Sequence, residues 1–292
     1  MFKLEEFMGR RVLTSSLLDG EAVRAFFTTR DLPLKSGEIE DLIHEVENNK
    51  KLICEGFNIP LENLVIPTQT HSDNVEVANG KRETVNGKEQ NCSPVHLITP
   101  HPQPLSRKGR GEKLDNLSPV HPFTYSPLEN TDALVTNEQN LALALNFADC
   151  VPIIFFDPVK KVTAIAHAGW RGTVAKIAPK TVAKMVDEFG SKPADIIALI
   201  GPAIGKCCFE VQDDVKIKLL NSIEKAYHSQ VCDENNLDLK LINKLQLLAD
   251  GVKKIDLCEY CTFCQSELFF SYRRENGKTA RHSAVVMVRG EW

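Results

Sequence analysis

The sequence predicts an α/β protein of α+β character: a single compact domain spanning 1–292, with central mixed β-sheets flanked by helices. Two observations carry this prediction. Residues 133–166 hold four closely spaced apolar runs of strand length and buried-strand composition. Helical patterns are few and do not alternate regularly with the strands, which argues against a regular doubly wound sheet.

Taken in order, Leu64–Ile66 and Val75–Val77 have the composition of short strands. The dense series is Ala133–Val135, Leu141–Leu145, Val151–Phe156 and Val162–Ala166. Its last two members flank a turn at Asp157–Lys160, which folds them into a hairpin. From Gly172 to Phe189, apolar residues recur at helical spacing through Val174, Ile177, Val182, Met185 and Val186, with Gly190 as the stop. Ile196–Ile200 is a further strand. Val211–Leu220 and Leu239–Leu248 have helical spacing, the second opened by Asp238 as an N-cap. Leu268–Tyr272 and Ala284–Val288 read as closing strands.

Residues 82–130 break this pattern. Ser93-Pro94-Val95-His96 recurs as Ser118-Pro119-Val120-His121, and the prolines between and within them deny ladders and helix interiors their amide donors. The expectation is a mobile surface insertion within the domain. Nothing in it has ligand or nucleophile spacing, so a shortened chain that still folds should keep its activity.

Thirty-five basic residues against thirty-nine acidic ones give a formal charge of -4, which offers no general attraction to nucleic acid or to an anionic membrane. No apolar run of about 18 residues is present to span a bilayer. Nine cysteines, an odd number, in a long chain whose start lacks the pattern of a secretory leader fit reduced thiols in the cytoplasm better than a disulfide framework.

Three residues far apart in sequence have ligand chemistry: His71 in Gln69-Thr70-His71-Ser72-Asp73, Cys150 in Ala148-Asp149-Cys150, and His167 in His167-Ala168-Gly169-Trp170-Arg171-Gly172. Two imidazoles and a thiolate suit zinc or copper, and three protein ligands leave a fourth position open, as in catalytic sites. The hairpin brings Cys150 and His167 together at the end away from its turn, where facing Cα atoms lie about 4.5–5.5 Å apart. Nothing in the spacing places His71. Asp149 is an acid awkward to bury unpaired, suited to accepting a hydrogen bond from a ligating imidazole, to holding a loop or to moving a proton.

Gly169-Trp170-Arg171-Gly172 is either a strand-to-helix turn that binds an anion through amides and Arg171, or a tight turn with a solvated arginine. Phe269–Arg274 is either core packing followed by surface charge, or an aromatic wall with cations for a ring-and-phosphate ligand. Cys258, Cys261 and Cys264 form C-x2-C-x2-C without a fourth thiol at suitable spacing. Cys207, Cys208 or Cys232 would have to supply one by folding, and the expectation is free thiols.

Several of these segments occur together in one family. They are Gln69–Val75, Thr131–Thr136, Ala148–Pro152, His167–Thr173, Gly201–Gly205 with Phe209-Glu210-Val211, Cys261-Thr262 and Phe269–Arg274. In this respect the chain resembles the bacterial laccase-domain proteins. These were first described as multicopper polyphenol oxidases, and later as purine nucleoside phosphorylases with adenosine deaminase activity or as peptidoglycan editing factors. The resemblance implies zinc on His71, Cys150 and His167, with copper as the other metal such a set can take.

The site expected from residues and resemblance together adds Asp149 and Arg171 as catalytic groups, and Arg30, Gln69, Arg273 and Arg274 as substrate or phosphate contacts. Its ligands would be a purine nucleoside and phosphate, bound by a monomer or homodimer with no nucleic-acid or membrane partner. One departure affects Arg30. The family has Gly-Gly-Val-Ser after its early Thr-Arg, whereas Thr29-Arg30 leads here into Asp31-Leu32-Pro33. The competing readings are a cysteine hydrolase acting on peptidoglycan precursors, with Cys150 and His167 as nucleophile and base, and a copper-dependent polyphenol oxidase.

Overall fold

Residues 1–79 and 128–290 are described in the computed structural model. They fold as two six-stranded mixed sheets with flanking helices, the α/β class that the sequence predicts. In chain order the main elements are β1 (Phe2–Phe7), β2 (Arg10–Ser15), β3 (Val23–Thr28), α1 (Ile43–Phe57), β4 (Leu64–Val65), β5 (Val75–Val77), β6 (Ala133–Thr136), β7 (Ala142–Phe147), β8 (Val151–Asp157), β9 (Val162–Ala168), α2 (Trp170–Val174) and α3 (Ile177–Phe189). Then follow β10 (Ile197–Ile200), α4 (Asp213–Leu220), α5 (His228–Val231), β11 (Cys232–Asp233), β12 (Asn236–Leu237), α6 (Leu239–Ala249), β13 (Lys254–Leu257) and β14 (His282–Val288).

The first sheet has the order β1-β2-β3-β14-β7-β4 and the second β13-β10-β8-β9-β6-β5. Their centres are antiparallel. The edge pairs β4–β7, β5–β6 and β10–β13 are parallel. Strands β7 and β14 pack across β8 and β9, so the sheets lie face to face. On the outer face of the second sheet, Val151, Ile153 and Phe155 of β8 share a core with Ile177, Val182 and Met185 of α3 and Ile242 of α6. On the outer face of the first, α1 sets Ile53 and Phe57 against Phe26, Ala142 and Ala144. A strand covered on both faces has no polar side to show, which is why β6 to β9 read as unbroken apolar runs. Each such side chain contributes about 1.5–3 kcal/mol on burial.

The pleat then decides where His167 points. Ala166 and Ala168 face the helical layer with the α3 core. His167, one residue out of phase, faces the other sheet, with its ring centroid 5.3 Å from that of Phe147.

Two sequence expectations are corrected. The helix from Gly172 to Phe189 is two helices, α2 and α3, divided at Lys176, whose φ of 60° is left-handed. Leu268–Tyr272 is a series of turns, not a strand. Its backbone serves other partners: the Phe269 carbonyl accepts from Arg274, and the Phe269 amide donates to the Gln265 carbonyl. The insertion expected at 82–130 lies outside the described residues except for 128–130, which belong to the fold. The Leu128 carbonyl accepts from the Thr68 amide at 2.9 Å, and the Asn130 carbonyl accepts from Asn74 Nδ2 at 2.9 Å. No helix among the described residues is long and apolar enough to cross a membrane.

Candidate functional site

The β8–β9 register pairs Val151 with Ala168 and Pro152 with His167. Cys150 and Gly169 follow just beyond the last pair, close enough that a Cβ on Gly169 would stand 3.0 Å from Cys150 Sγ. The β6–β9 register pairs Ala133 with Ala166, which puts Asp132 opposite His167. One end of the second sheet therefore gathers a thiol, an imidazole and a carboxylate. His71 arrives from the loop before β5, and its ring lies 4.9 Å from that of His167. The ligand atoms of His71, Cys150 and His167 all lie within 4.8 Å of one another. The structure thus brings together the three residues that the sequence left far apart.

Asp132 organises this group and bonds the imidazole, one of the roles that the sequence offered for Asp149. It is fully buried. Its Oδ1 lies 2.7 Å from His167 Nδ1 and accepts the His71 amide at 3.2 Å. Its Oδ2 accepts the amides of Thr70 and Ser72 and the Ser72 hydroxyl at 3.1, 2.7 and 2.7 Å. One carboxylate thereby fixes the loop that carries the first imidazole and the ring of the second. With Nδ1 donating to Asp132, His167 has Nε2 left for a metal, the carboxylate–histidine arrangement of metal sites. The available signal was an acid at the mouth of a buried strand, in Thr131-Asp132-Ala133.

Two site residues hold left-handed backbone, His71 at φ 61° and Asp149 at φ 85°. Side chains rarely adopt this region, and the surroundings must enforce it. For His71 the enforcement is the Asp132 cradle. Asp149 is held through its own carboxylate, which accepts Thr262 Oγ1 at 2.7 Å, Ser271 Oγ at 3.0 Å and the Arg273 amide at 2.7 Å. These bonds go to no ligating imidazole; they make Asp149 a post for the Phe269–Arg274 turns, the loop-holding role that the sequence also offered. Gly169 is required by proximity, because a Cβ there would stand 3.0 Å from Cys150 Sγ and 3.2 Å from the His71 ring.

Electrostatics favour a charged pair. Burial pushes the Cys150 thiol up, but His167 and His71 outweigh it and hold the thiol down at about 6. Burial pulls His167 down, and the Cys150 thiolate and Asp132 outweigh it, raising the imidazole to about 9. Asp132 stays well below the usual carboxylate range, because the His167 and Ser72 bonds overcome its burial. In metal-free protein, Cys150 should therefore alkylate with a rate that is half-maximal near pH 6, against about 8.5 for a free thiol. Peptide mass spectrometry after timed iodoacetamide labelling reads this. A midpoint above 8 would show that the imidazoles do not govern the thiol.

A cavity of about 430 Å³ opens over the group. Gln69, Asp149, Arg171 and Arg273 line it, joined by Lys35 and Arg281, which the sequence did not single out. Gln69 also bridges to β7: its Nε2 donates to the Asn146 carbonyl at 3.0 Å, and its Oε1 accepts the Asn146 amide at 2.8 Å. Arg171 stacks on Trp170 at 4.3 Å. Helix α2 behind it has only five residues, so an anion here would rely on side-chain cations and not on a helix end. Arg30 and Arg274 do not line the cavity. Arg30 pairs with Glu275 at 3.0 Å and lies over the Phe270 ring. Arg274 donates to the carbonyls of Thr262, Phe263 and Phe269 and pairs with Glu275. A second thiol group, Cys207, Cys208, Cys261 and Cys264, converges elsewhere, while Cys258 sits apart and fully buried.

Comparison with known proteins shows which family the chain belongs to. The family described as multi-copper polyphenol oxidoreductase laccase matches residues 24–289. The purine nucleoside phosphorylase YlmD of Bacillus subtilis is 32% identical over 282 residues, covering 92% of this chain and 89% of that one. Adenosine deaminase RL5, from an unknown prokaryotic organism, is 32% identical over 224 residues, covering 75% of this chain and 72% of that one. The crystal structure of YlmD from Geobacillus stearothermophilus matches with a TM-score of 0.75 at 31% identity, covering 99% of both chains. The chain belongs to the multi-copper polyphenol oxidoreductase laccase family.

Proposed function

We propose that this protein is a zinc-dependent purine nucleoside enzyme. It would cleave adenosine, inosine or methylthioadenosine with phosphate, giving free base and (methylthio)ribose 1-phosphate, and would deaminate adenosine at the same site. The observation that carries the proposal is the lining of one cavity by a His/Cys/His ligand set and by Lys35, Arg171, Arg273 and Arg281. Trp170, Phe209 and Tyr272 add aromatic surface on which a purine can lie. Relatives named phosphorylase and deaminase support both reactions.

In phosphorolysis, a phosphate oxygen bonds to the anomeric carbon as the glycosidic C–N bond breaks, and the base departs with a proton. The protein's part is to hold the dianion and the ribose in line. Arg273 is already positioned for this by the Asp149 carboxylate on its amide and by the Glu210 carbonyl, 3.2 Å from its guanidinium. Asp149 is thus a positioning residue. Zinc, when bound by His71, Cys150 and His167, lowers the pKa of water and so provides a nucleophile for the purine ring near neutral pH. The donor set fits zinc better than copper electron transfer, since none of the four methionines lines the cavity as an axial ligand would. Eight free cysteines among the described residues fit a reducing cytoplasm.

A second reading rests on the Cys150–His167 pair, whose shifted pKa values also suit a thiolate nucleophile attacking a cell-wall precursor. Incubation of pure protein with adenosine or inosine and phosphate, followed by chromatography, tests the leading proposal. Base, ribose 1-phosphate and, from adenosine, inosine should form at least about a hundredfold faster than with His71→Ala, a loss of about 2.7 kcal/mol in the barrier. Equal rates with wild type and variant would remove the metal from the reaction, and no product with either would remove the nucleosides.

A further inference from the structure

We propose that Cys207, Cys208, Cys261 and Cys264 hold a second zinc ion in a closed tetrathiolate site, which staples the cavity wall that carries Arg273. The topology explains how two sequence-distant pairs meet. Strands β10 and β13 are parallel neighbours, so the loops that follow them leave the same end of the sheet side by side. The Cys258 amide donates to the Ile200 carbonyl and the Thr262 amide to the Ala203 carbonyl, at 2.8 and 3.0 Å. These bonds zip the two loops together as far as the thiols.

The four sulfurs lie within 4.8 Å of one another. Cys264 Sγ is 3.4 Å from Cys208 Sγ and 3.7 Å from Cys207 Sγ, and the sulfurs of Cys207 and Cys208 are 3.6 Å apart. A zinc–sulfur bond of about 2.3 Å in a tetrahedron sets sulfurs about 3.8 Å apart, close to these separations. A cubane iron–sulfur cluster binds each thiolate through a different iron and spreads the sulfurs wider. A disulfide between Cys207 and Cys208 is disfavoured, since adjacent Cα atoms lie about 3.8 Å apart, short of the usual span of about 4.4–6.8 Å.

The loop backbone supports a thiolate at Cys261. The Gly205 amide donates to Cys261 Sγ at 3.1 Å. A Cβ on Gly205 would stand 3.1 Å from Cys261 Cβ and 3.3 Å from Cys207 Sγ, so the backbone itself closes over the sulfurs. With four protein ligands the ion has no vacant position, which makes the site structural. It bears on the cavity through short links. Arg273 reaches the carbonyls of Cys208 and Glu210, and Thr262, next to Cys261, donates to Asp149.

The test is metal analysis of the full-length protein and its variants, grown with zinc. His71→Ala should retain one zinc per chain, and X-ray absorption of that zinc should show four sulfur neighbours at about 2.3 Å. Wild type should carry one zinc more than the double variant C207S/C264S. The X-ray absorption measurement keeps the test decisive if the serine variant fails to fold. The proposal is overturned if His71→Ala is metal-free, if it carries iron, if its zinc has nitrogen neighbours, or if the four thiols are found as disulfides. Wild type with a single zinc that survives His71→Ala would uphold this site while removing the ion proposed for the cavity, so the two assignments fail separately.

Discussion

Asp132→Ala should weaken zinc binding at the His71, Cys150 and His167 group by about 10–100-fold, the range for loss of a carboxylate behind a ligating histidine. It should also lower stability by about 3 kcal/mol or more. The substitution strands the amides of Thr70, His71 and Ser72 and the Nδ1 proton of His167, all of which now end on one buried carboxylate. Leaving a buried donor unpaired costs about 1–3 kcal/mol each, and water entering a small gap recovers part of that. Competition with a chromophoric chelator measures the affinity, and urea unfolding of the metal-free protein measures the stability. Asp132→Asn keeps the shape and one acceptor and should fall between. Unchanged affinity and an unchanged urea midpoint in Asp132→Ala would show that the cradle does not hold the ligands.

Stripping the metal should lower nucleoside turnover at least about a hundredfold, and added zinc should restore it, because a bound ion is worth several kcal/mol to such transition states. Copper in its place should give neither turnover of polyphenols nor a strong blue band. The rival thiolate mechanism predicts the reverse. Stripped protein would then keep full activity. Running both treatments on wild type and on His71→Ala distinguishes loss at the cavity from loss at the cysteine cluster, since only the latter remains in the variant.

How much of this was legible depends on the range of each contact. The β8–β9 hairpin was readable because its turn lies within the segment, and with it the meeting of Cys150 and His167. The β6 to β9 runs were readable because burial on both faces removes polar alternation. His71 was not placeable, since its position follows from bonds to a carboxylate sixty-one residues on. Asp132 stood in plain view, but its partners belong to a neighbouring strand and a distant loop. Asp149 attracted attention by adjacency to Cys150, yet its carboxylate turns toward Thr262 and Ser271. Leu268–Tyr272 has strand composition, but its carbonyls and amides are used by turn partners, among them Arg274 and Gln265. Strands β1 to β3 and helix α1 went unread, and Cys207 and Cys208 met Cys261 and Cys264 only through parallel strands that no local pattern announces.

The bonding of 128–132 to 68–74 has a consequence for how the family can vary. The described chain on either side, at Ala78 and at Leu128–Asn130, is tied to the same small region of the sheet. The free energy of closing a flexible connection between two ends fixed in this way grows only with the logarithm of its length, about 0.6 kcal/mol per doubling. Two ends held in this way accept a flexible connection of another length at small energetic penalty, while the imidazole upstream and the carboxylate downstream keep their mutual register.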